Sequence, residues 1–148
     1  MCGICGELRF DDDAPDMAAI GRMLSKLARR GPDHEGTFSD GPVGFGHRRL
    51  SIIDLSAHAH QPMVDTQLQL TLVFNGSIYN YRELREELRA LGYQFFSEGD
   101  SEVILKAYHA WGEACVTRFW ACLPSPFGTI AASSSFWHVT ALASNHCT

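Results

Sequence analysis

The sequence predicts a single α+β domain, in which short strands and amphipathic helices share one core. Its 148 residues are 45% hydrophobic, which suffices for one domain core. Short apolar, strand-like segments alternate along the chain with segments whose apolar residues recur every three or four positions, the helical spacing. Glycine, proline and acidic residues separate these segments and mark their ends.

The first elements are a strand, a helix and an extended region. A short apolar strand is predicted for residues 4–10, and the acidic, proline-containing stretch 11–16 ends it. Apolar residues at helical spacing predict a helix from Met17 to Leu27, which the glycine and proline of RGPD (Arg30–Asp33) stop. Residues 41–55 then read as two strands or one bent strand.

The second half of the chain repeats this pattern. An apolar strand over residues 68–74 runs into an Asn-Gly pair, which is typical of a turn. Leucines on one face predict a helix over residues 81–92, with glycine as its stop. A strand over residues 93–97 and a helix ending at Trp111 follow, and either residue 100 or residue 101 is placed to cap that helix.

Composition and charge exclude several classes of protein. The formal charge is −5, and the 12 lysines and arginines form no continuous stripe, so a nucleic-acid partner is not expected. No apolar run approaches the roughly 18 residues that span a bilayer, and the N-terminus lacks the pattern of a signal peptide, so we expect no membrane partner. Five cysteines without framework spacing favour reduced thiols and a cytoplasmic location.

Six motifs occur in the order in which the N-terminal glutaminase domain of asparagine synthetases carries them. They are CGICG, RGPD, GHRRLSIIDLS, QPM, FNGSIYNYRELR and GDSEVILKAYHAWG. The chain therefore resembles a class II glutamine amidotransferase domain of the N-terminal nucleophile hydrolases, from Met1 to about Phe119. FNGSIYNYRELR and KAYHAWG are also similar to the branch of that family that forms N-acetylglutaminylglutamine amide.

This resemblance implies an architecture and a set of partners. The implied fold is a four-layer αββα sandwich, with two antiparallel sheets between helical layers. In full-length relatives, ammonia passes through a tunnel to a C-terminal synthetase domain that activates a carboxylate with ATP and Mg²⁺. We expect this chain to be the glutaminase half of such an amide-forming enzyme. Its substrate would be glutamine, its partner a synthetase domain normally in the same chain, and it would use no cofactor itself.

Cys2 is the candidate nucleophile. Removal of Met1 would make it the N-terminus, and its own α-amine could then act as the base for its thiol. The reference pKa values, about 7.7 to 8.0 for an α-amine and about 8.5 for a thiol, allow this with a small shift. The alternatives are that Cys2 merely begins a strand, or that Cys2 and Cys5 form a Cys-x-x-C metal or redox pair. Strand alternation places the two on opposite faces, so Cys5 is interpreted as a small core residue.

The resemblance assigns the substrate's two charged groups to Arg49 and Asp100. Arg49 would form a two-pronged pair with the α-carboxylate, beside a wall made by residues Leu50, Ser51, Ile52 and Ile53. Asp100 would pair with the α-ammonium. The alternatives are a surface ion pair for Arg49 and a helix cap for Asp100, whose carboxylate could serve in both roles.

Asn75 and Gly76 match the oxyanion hole of the family, through a side-chain amide and a main-chain N–H. An Asn-Gly pair is otherwise more often a plain turn. Ser77 stands where many asparagine synthetases have glutamate, which removes one carboxylate from the expected substrate contacts. RGPD and residues 47 and 48 are interpreted as structural, and the histidines lack the spacing of metal ligands.

The residues after Phe119 differ in character from the rest. From Trp120 to Thr148 there is no Asp, Glu, Lys or Arg, and no helical or alternating periodicity. Codons for Trp120–Ala132 can be chosen so that the frame two bases later encodes GMLAFAIWDHR, and those for Phe136–Thr148 so that it encodes LARDRLGIKPLY. Both peptides resemble the family, so we infer a frameshift near Phe119, with an aberrant tail over residues 120–148.

A frameshift of this kind would leave the sheets and the core incomplete, so marginal stability and little activity are expected. Two other functions remain open. One is an inactive remnant or glutamine-binding module without turnover, and the other is a small Cys-x-x-C metal or redox protein.

Overall fold

The computed structural model describes residues 2–11, 13–122, 129–133 and 136–141, of which residue 122 and the last two ranges are described by their main chain alone. The strands are β1 (Gly3–Leu8), β2 (His34–Asp40), β3 (Val43–Arg49), β4 (Met63–Asp65), β5 (Leu70–Phe74), β6 (Ser77–Ile78), β7 (Ala121–Cys122), β8 (Thr129–Ser133) and β9 (Phe136–Ala141). The α-helices are α1 (Met17–Leu27), α2 (Tyr81–Ala90) and α3 (Asp100–Trp111), and short 3-10 helices cover Ala57–Ala59 and Gly112–Arg118. This content confirms the predicted α+β class.

The strands pair antiparallel in three sheets. The first sheet has the order β1-β3-β2, the second β4-β5-β8-β9, and β6 pairs with β7 in a separate ribbon. In the first sheet Gly3 lies opposite Arg48, and His34 lies opposite Arg49. This register brings the start of β1 next to the end of β3, where Cys2 and Arg49 lie.

Helix α1 packs closely on the first sheet because β3 carries glycines on that face. Residues 43–47 alternate large side chains with glycine, and a Cβ at Gly46 would lie 2.9 Å from both Ile20 and Leu24. Ile20 and Leu24 of α1 are fully buried. On the other face of β3, Val43 and Phe45 share a core cluster with Val73 of β5, so the first two sheets contact each other there.

Helix α3 packs on the second sheet, α2 packs on α3, and most of the core lies among these elements. Helix α3 contacts both β4 and β5. The main core cluster draws its largest fully buried apolar side chains from β4, β5, β6, α2 and α3, namely Met63, Leu72, Ile78, Leu88, Ile104 and Leu105. The described helices are too short and too polar to cross a membrane.

The three predicted helices are confirmed, whereas the strands differ from prediction in several places. Strand β2 was not predicted, because HEGTFSD has little apolar alternation and pairs only on one side, as the edge of its sheet. The short strand β4 was not predicted either. Residues 51–55 form no strand but an irregular segment with a bend at residues 52 and 53. The N–H of Ser51 is bonded by the carboxylate of Asp33 and not by a neighbouring strand, and residues 52–54 line a cavity.

The predicted strand over residues 93–97 is wrong. The carboxylate of Glu102, which is fully buried, accepts hydrogen bonds from the main-chain N–H groups of Phe96 and Ser97 at 2.7 to 3.1 Å. Arg85 donates to the carbonyls of Ser97 and Gly99 at 2.7 and 2.8 Å. Because side chains from α2 and α3 satisfy these main-chain groups, the segment remains a loop.

The predicted cap of α3 is also corrected. Gly99 occupies the N-cap position, and Asp100 is the first residue of the helix. The carboxylate of Asp100 instead accepts a hydrogen bond from the N–H of Ile78 in β6.

The predicted tail forms strands in the structure, whereas we expected it to leave the sheets incomplete. Strand β7 pairs with β6, β8 adds to the free edge of β5, and β9 pairs with β8. Main-chain pairing at a sheet edge places few demands on side-chain type, so a stretch without alternation can still extend a sheet. The remaining parts of the predicted tail, residues 123–128, 134–135 and 142–148, lie outside the described residues, as does Met1.

Candidate active site

A cavity of about 280 Å³ opens where the ends of β1, β3 and β5 meet the start of α3. This volume is slightly below the ~300–1,000 Å³ of pockets for drug-sized ligands and suits a small metabolite. Of the residues predicted for the site, the cavity is lined by Cys2, Arg49, Leu50, Ile52, Ile53, Asn75, Gly76, Ser77 and Asp100. Ser51 does not line it.

The thiol of Cys2 lies against the main chain of Leu50. Its Sγ accepts a hydrogen bond from the Leu50 N–H at 3.4 Å and lies 3.7 Å from the Leu50 carbonyl oxygen. Arg30, from the RGPD motif, donates from Nε to the Cys2 carbonyl at 3.3 Å. The side chain is half-buried, so the thiol is held in place while one side of it faces the cavity.

Cys5 lies on the opposite face of β1, as strand alternation predicts. Its Sγ lies 3.8 Å from the carbonyl oxygen of Ile20 in α1, and burial raises the pKa of its thiol. It is half-buried and not fully buried. Cys2 and Cys5 are both free thiols, and no group of three or more potential metal ligands occurs among the described residues. The Cys-x-x-C pair therefore finds no support in this geometry.

Arg49 is buried at the cavity wall, and it forms no ion pair with a carboxylate of the described residues. Its side chain donates to the carbonyl of Ser56 at 3.0 Å and to that of Asp54, and only 6% of the residue is exposed. In the part of the chain that the structure describes, Arg49 forms no ion pair. A guanidinium has five N–H donors, so Arg49 keeps donors for an anion in the cavity, and its charge also helps to lower the pKa of the Asp54 carboxyl.

The loop that follows Arg49 is fixed by two acidic side chains. Asp33 of RGPD accepts a hydrogen bond from the Ser51 N–H at 2.7 Å. Asp54 accepts from the N–H groups of Ser56 and Glu98 at 2.8 and 2.9 Å. Asp54 thus ties this loop to the segment that leads into Asp100.

Asn75 and Gly76 follow directly after β5 and line the cavity. The side-chain amide of Asn75 makes no hydrogen bond within the described residues, and its side chain is half-buried. Gly76 is exposed, and Ser77 begins β6. A side-chain N–H₂ group without an internal partner is free to donate to a ligand in the cavity.

Asp100 lies at the beginning of α3, where it is only 6% exposed. Its Oδ2 accepts a hydrogen bond from the Ile78 N–H at 3.0 Å. Burial raises the pKa of this carboxyl, although hydrogen bonds from main-chain N–H groups oppose the shift. A cation in the cavity would therefore stabilise the charged form of Asp100, because it would replace the solvation that burial removes.

Several cavity residues were not predicted from the sequence, namely Asp54, Ala59, Gln61, Phe74, Tyr79, Gly99 and Ser101. The sequence signal for Gln61 is the QPM motif, which is one of the six motifs that carry the resemblance. His34 and His60 stack at 3.6 Å, and the His109 ring hydrogen-bonds to Tyr93.

Comparison with known proteins shows which family the chain belongs to. A family model described as a glutamine amidotransferase domain matches residues 1–122. Asparagine synthetase [glutamine-hydrolyzing] 3 of Bacillus subtilis is 40% identical over 119 residues, covering 78% of this chain and 19% of the relative. Asparagine synthetase B [glutamine-hydrolyzing] of Escherichia coli is 40% identical over 113 residues, covering 76% and 20%.

A plant protein is similar over the same region. The nodule asparagine synthetase [glutamine-hydrolyzing] of Pisum sativum is 35% identical over 114 residues, covering 76% of this chain and 19% of the relative. The chain thus spans about a fifth of the length of the curated relatives it matches. Because the family model covers most of its residues, the chain belongs to the glutamine amidotransferase domain family.

Proposed function

We propose that this domain hydrolyses the side-chain amide of glutamine to glutamate and ammonia, with Cys2 as the nucleophile. The observation that carries the proposal is the arrangement around one cavity of a thiol, a buried carboxylate and a buried arginine that forms no ion pair with any described carboxylate. Free glutamine presents an α-carboxylate, an α-ammonium and a neutral amide, so its three groups complement Arg49, Asp100 and Cys2. The match to the amidotransferase family supports the same reaction.

In the proposed mechanism, removal of Met1 exposes the α-amine of Cys2, which takes the proton of its thiol. The sulfur then attacks the amide carbon, and the carbonyl electrons move to oxygen. The amide of Asn75 and the N–H of Gly76 donate to this oxyanion. As the intermediate collapses, the C–N bond breaks, the proton passes to the leaving nitrogen and ammonia departs. Water attacks the resulting thioester, which releases glutamate and restores the thiol.

The arrangement of layers is part of the same proposal. We propose the αββα sandwich of the family, in which α1 covers the first sheet and α2 and α3 cover the second. The contact of Val43 and Phe45 with Val73 between the sheets supports this order. By analogy with the relatives named asparagine synthetase [glutamine-hydrolyzing], the ammonia would serve a synthetase domain, which the family resemblance implies would use ATP and Mg²⁺. No step is assigned to those groups among the residues described here.

The test compares the full chain with its Cys2→Ala variant. Glutamate release from L-glutamine is measured by mass spectrometry over long incubations, together with the mass of the N-terminal peptide. We expect release only from protein that lacks Met1, and none from Cys2→Ala. Cys5→Ala, which alters a thiol on the other face of β1, is the matched control and should retain the activity.

A second measurement distinguishes hydrolysis from simple binding. L-glutamine should bind to the Cys2→Ala variant in calorimetry, because Arg49 and Asp100 are unchanged. If glutamine binds but the unaltered chain releases no glutamate, the domain is a binding module or an inactive remnant. If glutamine does not bind at all, the assignment of this cavity is wrong.

A further inference from the structure

The glutamine of QPM is buried in the cavity wall and has a hydrogen bond at each end of its amide. Gln61 is 6% exposed, and its Oε1 accepts from the Phe74 N–H at 2.5 Å. Its Nε2 donates to the Oγ of Ser101 at 3.3 Å. Because a main-chain N–H can only donate, the amide oxygen must face Phe74, and this fixes the orientation of the whole group.

The two hydrogen-bond partners of Gln61 are sequence neighbours of Asn75 and Asp100, two polar residues that line the cavity with Cys2. Phe74 immediately precedes Asn75, the proposed oxyanion donor, and Ser101 immediately follows Asp100, the proposed ammonium ligand. Gln61 therefore joins the end of β5 to the first turn of α3. No other side chain in the described residues bonds to both of these segments.

A second buried side chain bonds to the other main-chain polar group of the same residue, Phe74. The Nε2 of His47 lies 3.2 Å from the Phe74 carbonyl oxygen, and His47 is fully buried. Since a carbonyl only accepts, Nε2 carries the proton, and burial lowers the pKa of His47 to about 4, so the ring is neutral near pH 7. Both polar groups of the Phe74 main chain are thus fixed by side chains just before Asn75.

We propose that Gln61 is a positioning residue for glutamine hydrolysis, which sets Asn75 for the oxyanion and Asp100 for the substrate ammonium. This inference rests on the function proposed above. Displacement of a reacting or stabilising group by about 1 Å can cost on the order of 100-fold in rate. Loss of the Gln61 amide would also leave the N–H of Phe74 buried without a partner, so the strand end would shift to satisfy it.

Three variants separate positioning from mere stability. Gln61→Met keeps the length of the side chain and removes both hydrogen bonds. Ser101→Ala removes the Gln61 bond on the side of Asp100, together with the hydrogen bond that the Ser101 hydroxyl makes to the Asp100 carboxylate. Leu88→Ala opens a cavity in the fully buried face of α2, away from the site, and serves as a control for lost stability.

The readout is alkylation of Cys2 by a glutamine analogue whose side-chain amide is replaced by a chloromethyl ketone. The thiolate displaces chloride and forms a thioether, which mass spectrometry locates, and saturation kinetics give a dissociation constant and a limiting rate. This readout needs no turnover. Gln61→Met should weaken binding and lower the limiting rate about 10-fold or more. This loss should be smaller than the ~10²–10³-fold loss typical when an oxyanion donor itself is removed.

Ser101→Ala should weaken binding several-fold and leave the limiting rate within about two-fold, because its bonds support only the side of Asp100. Leu88→Ala should change neither constant for the folded protein. The proposal is overturned if Gln61→Met has the same dissociation constant and limiting rate as Leu88→Ala. If Gln61→Met does not fold, the proposal is overturned when Ser101→Ala binds the analogue as tightly as the unaltered chain does. If Cys2 of the unaltered chain reacts no faster than Cys5 and Cys115, the proposed function itself fails, which is a different result.

Discussion

The carboxylate of Asp33 accepts a hydrogen bond from the main-chain N–H of Ser51 at 2.7 Å, although the two residues are 18 positions apart. The main chain of Asp33 also donates to the Arg49 carbonyl at 3.0 Å. The RGPD turn therefore fixes the segment that carries Arg49 and Leu50 at the cavity. A motif that the sequence presents as a plain turn thus has a part in shaping the site.

Replacement of Asp33 by alanine should weaken glutamine binding by about five-fold, which corresponds to one hydrogen bond of about 1 kcal/mol. The physical reason is that the loop after Arg49 gains freedom that binding must then remove. Calorimetry with L-glutamine on a Cys2→Ala background measures this directly. Asp40→Ala alters an exposed carboxylate at the end of β2 and should bind as before; equal weakening in both variants would contradict this role for Asp33.

Arg49→Lys should weaken glutamine binding by about 10- to 100-fold, although the charge is kept. A lysine cannot hold the carbonyls of Ser56 and Asp54 and also form a two-pronged pair with a carboxylate, and hydrogen bonds to charged groups contribute about 1.5–3 kcal/mol. Arg48→Lys is the matched control. Arg48 points to the other side, where it pairs with Glu35 and donates to Leu24, so its replacement should leave binding unchanged.

Asp100 should make glutamine binding and folding stability respond to pH in opposite directions. Because burial raises its pKa, the folded protein keeps this proton to a higher pH than the unfolded chain. The free energy of unfolding therefore falls as the pH rises through the raised pKa. Binding of the substrate ammonium needs the charged form, so affinity should rise over the same range.

Asp100→Asn separates these two effects. The asparagine oxygen can still accept from Ile78, but it carries no charge, so the variant should be more stable than the parent near pH 7. It should also bind glutamine at least about 10-fold more weakly. Urea unfolding and calorimetry between pH 4 and 8 give both quantities. A variant that loses stability and keeps its affinity would contradict the assignment of Asp100 to the ammonium.

The frameshift hypothesis is tested on the coding DNA. It predicts that the frame two bases after that of Trp120 encodes GMLAFAIWDHR, and that the same frame at Phe136 encodes LARDRLGIKPLY. Sequencing of the gene decides this. Two unrelated peptides, or a match that needs two different frames, would eliminate the hypothesis.

The parts of the structure that the sequence predicts are those set by local pattern or by a shared motif. Helices such as α1 follow from apolar spacing, and Cys2, Arg49 and Asp100 follow from motifs that occur in order. The loop over residues 93–97 could not be predicted, since its apolar residues are typical of a strand. Glu102 and Arg85 fix its main chain, and such contacts between elements leave no periodic signal in the sequence.

The proposed role of Gln61 also depends on contacts between elements, which the sequence does not reveal. QPM was recognised as part of the resemblance, but a buried amide that bonds to Phe74 and Ser101 depends on a meeting of β5 and α3. Nothing in the local sequence indicates that meeting. The motif marks the position, and only the three-dimensional contacts explain it.

The pairing of β6 with β7 has a consequence for the order in which the protein is made. Ser77 and Ile78 pair with Cys122 and Ala121, so the strand that carries Ser77 of the cavity wall gains its partner from residues made about 120 positions after Cys2. At about 5–20 residues per second, this delay lasts on the order of 6–24 seconds. During that time the N-terminus precedes a site whose last strand pair has not formed. If Cys2 is the nucleophile proposed above, removal of Met1 in this interval would expose its α-amine before the surrounding structure is complete.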